Sequence, residues 1–260
     1  MSAPLVIDHA AMSAGGRTLW SDLSLTVQPG ELVAVLGANG AGKTSLLRAI
    51  LGERPLDAGE ITLTEPKRIG YVPQHYALAE GAPIRAADLV SLAIDGGRFG
   101  LPLPNRARRE RVSEILRQVD ASELAHTPIA DLSGGQQQRI RIGQALAADP
   151  TLLLCDEPFG SLDMGQQHEI AELIDRRRRE HNTAVLLITH DLNAIIEHVD
   201  RVLYLAGGSY RIGSVSEVLR SEVLTELYGT PIEVLRVGER LVVVGTGEDP
   251  HEHGRVHHHG

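Results

Sequence analysis

Only two lysines occur in this chain, Lys43 and Lys67, and every other basic residue is an arginine or a histidine. Lys43 closes the run Gly37-Ala-Asn-Gly-Ala-Gly42-Lys43-Thr44, two glycines at fixed spacing followed by a lysine and a hydroxyl. Glycines at Gly37, Gly40 and Gly42, with Asn39 between them, let successive backbone N–H groups wrap an anion, and Lys43 can reach terminal phosphates. The Thr44 hydroxyl suits magnesium, and Ser45 opens the helix that follows. The run Leu32-Val-Ala-Val-Leu36 reads as a buried strand feeding this loop.

Two further groups could share that chemistry. Thr151-Leu-Leu-Leu-Cys-Asp156-Glu157-Pro158 is an apolar strand ending in paired acids. Asp156 is placed as a magnesium partner, and Glu157 as a base that polarises water for attack on a terminal phosphate. Without the loop, the same acids would be a polar turn before Pro158. Leu132-Ser133-Gly134-Gly135-Gln136 opens a helical run extending to Ala148. Such a turn offers free N–H groups and a dipole end to an anion. Ser133 would serve equally as an ordinary N-cap.

Together these motifs resemble the ATP-binding subunit of an ABC transporter, and the likeness spans nearly the whole chain in the expected order. Leu132 to Gln136 matches the signature motif, with Ser133, Gly135 and Gln136 as its ATP-facing residues. Gln74, in Tyr71-Val72-Pro73-Gln74, matches the glutamine loop, and Ser161-Leu162-Asp163 matches the D-loop. His190, after the strand Ala184 to Thr189, matches the switch histidine. The resemblance implies that Glu157, His190 and Gln74 act in catalysis and that Thr44, Gln74 and Asp156 hold Mg2+. It also implies a head-to-tail dimer in which each ATP lies between Lys43 of one copy and Ser133 of the other. Membrane permease subunits, a substrate-binding protein and a place on the cytoplasmic face of the membrane are implied as well.

These residues need a scaffold. The expected fold is α/β, a phosphate-loop NTPase core with an antiparallel β portion and an inserted helical subdomain at roughly 75–148, within a nucleotide-binding domain at 1–247. Leu5 to Ala10, Leu23 to Val27 and Glu60 to Leu63 read as the antiparallel strands. Thr151 to Cys155, Ala184 to Thr189 and Val202 to Leu205 alternate with helices. Arg106 to Val119 is helical, after a Gly- and Pro-rich loop at Asp95 to Pro104. In the family, the region after Gln74 receives a helix of the membrane subunit. Leu78, Leu89, Leu92 and Phe99 could line that groove or lie in the core. The run Arg176 to Arg179, with Glu172 and Glu180 nearby, reads as a solvated helix face.

Ala14 stands where the family usually carries the aromatic that stacks on adenine. Trp20, the only tryptophan, lies nearby in a register that fits a core role better than a base-stacking one.

Composition excludes other classes. Hydrophobic content of 42% and charged content of 23% are ordinary for a soluble globular protein. A net charge of -9 argues against nucleic acid as partner. The single cysteine, Cys155, forms no disulfide framework. No signal peptide is expected at the N-terminus, and no apolar run reaches the length of a membrane span.

The transported cargo is read from the C-terminus. Leu224 to Arg236, then Leu241-Val-Val-Val, resembles the short tail of metal-ion and iron-chelate importers. The segment 248–260 carries His251, His253, His257, His258 and His259. Neutral imidazoles bind zinc and similar metals, while the same composition would also fit a low-complexity remnant. The expectation is a zinc or manganese importer, with an iron-chelate importer (siderophore or haem) as alternative. A soluble non-transport ABC ATPase fits less well, because neither tandem domains nor a coiled-coil insertion fits in this length.

Overall fold

The computed structural model describes residues 2–66, 68–74, 84–95, 106–238 and 240–245. Alternating apolar residues at the N-terminus form a hairpin of β1 (Leu5–Ala14) and β2 (Arg17–Val27), turned at Gly15 and Gly16. Both glycines have positive φ, as a two-residue hairpin turn requires. A bulge at His9, with φ of 46°, shifts the register and lets β1 continue to Ala14. The strands therefore run further than their hydrophobic alternation suggests. Ala10 and Met12 still point into the core beyond the bulge.

β3 (Leu32–Gly37) is apolar on both faces and is joined by a loop at 38–42 to α1 (Lys43–Ile50). β4 (Ala58–Leu63) pairs with the free edge of β1, giving an antiparallel sheet of order β2-β1-β4. β5 (Ile69–Val72) then enters the main sheet. Three helices follow: α2 (Ala86–Asp95), α3 (Arg106–Gln118) and α4 (Gly134–Ala145). α4 stops three residues short of the expected Ala148. A 3-10 turn over Leu146–Ala148 tightens the end, and Asp149 takes a left-handed conformation before Pro150.

The second half alternates β6 (Leu152–Asp156), α5 (Met164–His181), β7 (Ala184–Ile188), β8 (Arg201–Ala206) and β9 (Ser209–Gly213). Two short helices, α6 (Val215–Val218) and α7 (Ser221–Tyr228), lead to a hairpin of β10 (Ile232–Val237) and β11 (Arg240–Gly245). The main sheet has the order β5-β6-β7-β3-β8-β9, parallel except for the β8–β9 pair. Its faces separate by residue parity. Val33 and Val35 pack toward β1, β2 and α1, while Leu32, Ala34 and Leu36 pack toward the helices on the other side. This is the expected α/β architecture with an antiparallel portion.

β6, β7 and β3 are neighbours, so the loops leaving their carboxyl ends converge on one edge, where open α/β sheets place ligands. α5 presents Ile170, Leu173 and Ile174 to the core at helical spacing.

Its arginine run is a solvated face only at Arg176 and Arg179, whose side chains are 41% and 64% exposed. Arg177 and Arg178 are buried, reaching Asp149 at 2.8 Å and Asp175 at 2.7 Å. Arg178 also reaches Asp200 at 2.7 Å and the Gly30 carbonyl. The carboxylates that neutralise them come mostly from distant segments, which lets the charges go inside. Leu89 is buried, whereas Leu92 is 58% exposed. Leu78, Phe99 and the tail histidines lie outside the described residues. Among the described residues, no helix is long and apolar enough to cross a membrane.

Candidate functional site

The loop after β3 is shaped by close approaches that only glycine allows. Gly37 has φ of 142°, and a Cβ there would sit 2.2 Å from the Leu205 carbonyl on neighbouring β8. Gly42 has φ of 97°, and its Cβ would meet Leu19 and the Trp20 indole, each at 2.9 Å. The loop is thus folded tightly against β2 and β8. Gly42 caps α1 without any side-chain hydrogen bond, leaving first-turn N–H groups for an anion.

Lys43 is buried, and its ammonium donates to the carbonyls of Gly37 at 2.6 Å and Ala38 at 3.1 Å. Burial pushes its pKa down, while the charges of Glu157 and Asp156 pull it back up. The ammonium, the two carboxylates and the loop therefore form one electrostatic unit.

A cavity of about 310 Å³ lies above this loop. It is lined by Asn39, Gly40, Gly42, Lys43, Thr44 and Ser45 from the loop and α1, Gln74 after β5, Asp156 and Glu157 after β6, and Ile188. Ala14 and Leu19 close one side, and among the described residues no aromatic side chain lines it. Trp20 is fully buried beneath the loop, its indole N–H 3.5 Å from the Gly42 carbonyl, so it is a core residue.

Asp156 ends β6 in a buried position. Glu157 follows with φ of 50°, in the left-handed region that costs a non-glycine residue energy. That turn aims its carboxylate at the end of β7. Oε2 of Glu157 is 2.8 Å from Nδ1 of His190 and accepts the His190 backbone N–H at 3.3 Å. The His190 ring is exposed while the Glu157 side chain is mostly covered. A carboxylate and an imidazole thus meet at the rim of the phosphate-loop cavity.

Ser133, Gly135, Gln136 and Asp163 do not line that cavity. They form a second cluster at the adjacent N-termini of α4 and α5. Ser133 caps α4 through a reciprocal box: the Gln136 N–H donates to Ser133 Oγ at 3.3 Å, and the Ser133 N–H donates to Gln136 Oε1 at 2.9 Å. Asp163 caps α5, accepting from the Gln166 N–H at 2.9 Å. A Cβ on Gly135 would come within 3.1 Å of the Gln166 side chain, so glycine lets the two helix ends touch. Within one chain, Ser133 is the N-cap that its residue type suggests.

Sequence reasoning missed two contacts near this site. Arg54 donates to Ser45 Oγ at 3.1 Å and to the Ser13 carbonyl at 2.6 Å, bracing the loop against β1. Asn193 holds the β10–β11 hairpin to the loop that carries His190. Neither has a local sequence signal, since Ser13 lies 41 residues from Arg54 and Leu241 lies 48 from Asn193. Among the described residues no group of three or more His, Cys, Asp or Glu could hold a metal ion.

A phosphate loop on β3, acids on β6 and a histidine on β7 define an ATP-binding cassette. The family model for the ABC transporter matches residues 20–160, and the chain belongs to that family as an ATP-hydrolysing cassette. More particularly, it is similar to zinc import ATP-binding proteins. It is 33% identical over 252 residues to that of Halorhodospira halophila, covering 96% of this chain and 89% of the relative. It is 39% identical over 197 residues to that of Cereibacter sphaeroides, covering 76% of each.

Among solved structures it resembles a metal-chelate type ABC transporter in an inward-facing conformation. The TM-score is 0.80 and the identity 26%, over 93% of this chain and 96% of that one. A dimeric bacterial ABC transporter cassette matches with a TM-score of 0.68 and 26% identity, over 81% of this chain and 98% of that one.

Proposed function

We propose that this chain is the ATP-hydrolysing subunit of a zinc importer, bound to the cytoplasmic face of the membrane through permease subunits. The likeness to zinc import ATP-binding proteins over nearly its whole length carries the choice of cargo. Residues 1–247 form the nucleotide-binding domain, with the helical portion at roughly 75–148 as its inserted subdomain.

The division of the site supports a dimer. Lys43, Thr44, Gln74, Asp156 and Glu157 line one cavity and His190 joins it through Glu157, whereas Ser133, Gly135, Gln136 and Asp163 stand outside it. Two copies joined head to tail would bring the second cluster onto the phosphates of the first, as the solved dimeric cassette makes reasonable.

In that arrangement the loop N–H groups and Lys43 bind the β- and γ-phosphates. Thr44, Asp156 and Gln74 supply oxygen donors suited to Mg2+, a hard cation that keeps several waters. Bound there, the ion would neutralise charge on the terminal phosphates. Glu157 accepts a proton from the attacking water, and His190 orients the carboxylate through its ring Nδ1 and its backbone N–H. ATP closes the dimer, hydrolysis reopens it, and the motion is passed to the permease.

A substrate-binding protein completes the proposed system, and the tail histidines His251, His253, His257, His258 and His259 are proposed to bind zinc. Reconstitution with a permease of the zinc-import type tests the reading. ATP-dependent uptake of zinc, lost in Lys43→Ala, is expected. Uptake of manganese or of an iron chelate in place of zinc would move the cargo. Calorimetry with zinc on full-length and tail-deleted chains tests the histidines separately.

A further inference from the structure

The loop after β7 is tied to the C-terminal hairpin through one side chain. Asn193 Nδ2 donates to the Leu241 carbonyl at 2.9 Å, and the Leu241 N–H donates to Asn193 Oδ1 at 2.8 Å. The Asn193 carboxamide thus takes both backbone groups of one residue on β11, as a paired strand would. Since Leu241 needs one acceptor and one donor, asparagine matches it where aspartate or alanine does not. β11 is the outer strand of a two-stranded sheet, so this pairing also covers part of its free edge.

The tether is continuous with the candidate catalytic pair. Asp191 Oδ1 accepts from both the backbone N–H and Nδ2 of Asn193, at 2.9 and 2.7 Å. The Asp191 N–H donates to Thr189 Oγ1, and that hydroxyl donates to the Asp191 carbonyl. His190 sits inside this folded turn, with its backbone N–H and its ring on Glu157. On the other side, Arg240, next to Leu241, donates to the Met164 thioether beside Asp163 at 3.0 Å. The hairpin therefore touches both the His190 loop and the start of α5.

We infer that Asn193 is a positioning residue for hydrolysis: by clamping Leu241 it fixes the His190 loop and so holds the Glu157 carboxylate in its reactive direction. This rests on the reading of Glu157 and His190 given above. Asn193 does not line the Lys43 cavity; it lines the neighbouring one, beside His190 and the start of the phosphate loop. Its loss therefore acts on the chemical step and spares ATP binding.

The test measures ATP affinity and steady-state hydrolysis in the full-length chain and three variants. Asn193→Ala should lower kcat about tenfold, with KM and ATP affinity within about twofold of wild type. Leu241→Pro removes the N–H from the other side of the clamp, at an outer-strand position that tolerates proline, and should reproduce the loss. Leu241→Ala keeps both backbone bonds and should retain kcat. Wild-type kcat in Asn193→Ala, or a parallel fall in kcat and ATP affinity, would overturn the inference while leaving the ATPase reading intact. A wild-type chain that neither binds nor hydrolyses ATP would overturn both.

Discussion

Nδ1 of His190 lies 2.8 Å from Oε2 of Glu157, although 33 residues separate them and they leave different strands. Adjacent β6 and β7 bring them together, and the left-handed Glu157 backbone turns the carboxylate toward the histidine. Glu157→Gln keeps the shape and removes the base. It should bind ATP with unchanged affinity and hydrolyse it at least about 100-fold more slowly. His190→Ala leaves the carboxylate but frees its orientation, and should also reduce kcat with little change in affinity. Nucleotide titration and phosphate release on the same samples check both. Normal turnover in Glu157→Gln would remove that residue from catalysis.

Ser133 does not line the Lys43 cavity, so in the proposed dimer its contribution comes through a second copy. Ser133→Arg should leave ATP binding per chain intact and stop hydrolysis. Part of that loss could come from the helix cap, worth about 1 kcal/mol. Ser133→Asn separates the two effects, since asparagine caps as well as serine. It should be as stable as wild type in thermal unfolding and yet hydrolyse ATP slowly. Full turnover in Ser133→Arg would mean that each chain hydrolyses ATP alone.

The parts legible in the sequence were those whose signal is local. The glycine loop carries its own spacing, and β3, β6 and β7 are uninterrupted apolar runs flanked by turns. Trp20 read as core and is core. Misreadings arose where a distant partner decides. Arg177 and Arg178 look solvated beside Glu172 and Glu180, yet Asp149, Asp175 and Asp200 neutralise them inside. Asn193 gives no hint of Leu241, 48 residues on. The extents of β1 and β2 were cut short because His9 and Asp22 adopt positive φ, which breaks the alternation without ending the strands.

Ala14 lines the cavity where an aromatic ring would lie against the base, and Trp20 is too deeply buried to replace it. The contacts available on the described residues are aimed at phosphates. ATP and GTP should therefore bind within about threefold of one another. Ala14→Tyr should tighten ATP about tenfold, the gain expected from one stacked ring. Trp20→Phe, which preserves most of the core volume, should leave affinity unchanged. Fluorescent-nucleotide competition measures all three, and a strong ATP preference in the wild type would show that another group reads the base.

Asp149 accepts from Arg177 at 2.8 Å and from Arg68 at 3.0 Å, and joins α4, β5 and α5 where β6 begins. The Arg177 guanidinium holds the Asp149 carboxyl below its ordinary pKa of 3.8. A carboxyl that ionises more readily when folded contributes its full stability above the unfolded value, and loses it as pH falls through the folded one. Asp149→Asn preserves size and tolerates the left-handed backbone. It leaves buried Arg177 without its counter-charge, and because Asp149 is half exposed the cost is about 1 to 2 kcal/mol. Urea unfolding should show that deficit constant between neutral pH and about pH 5, then shrinking below about pH 4 as the wild-type carboxyl takes up its proton. A deficit that persists unchanged into acid would assign the effect to packing and not to charge.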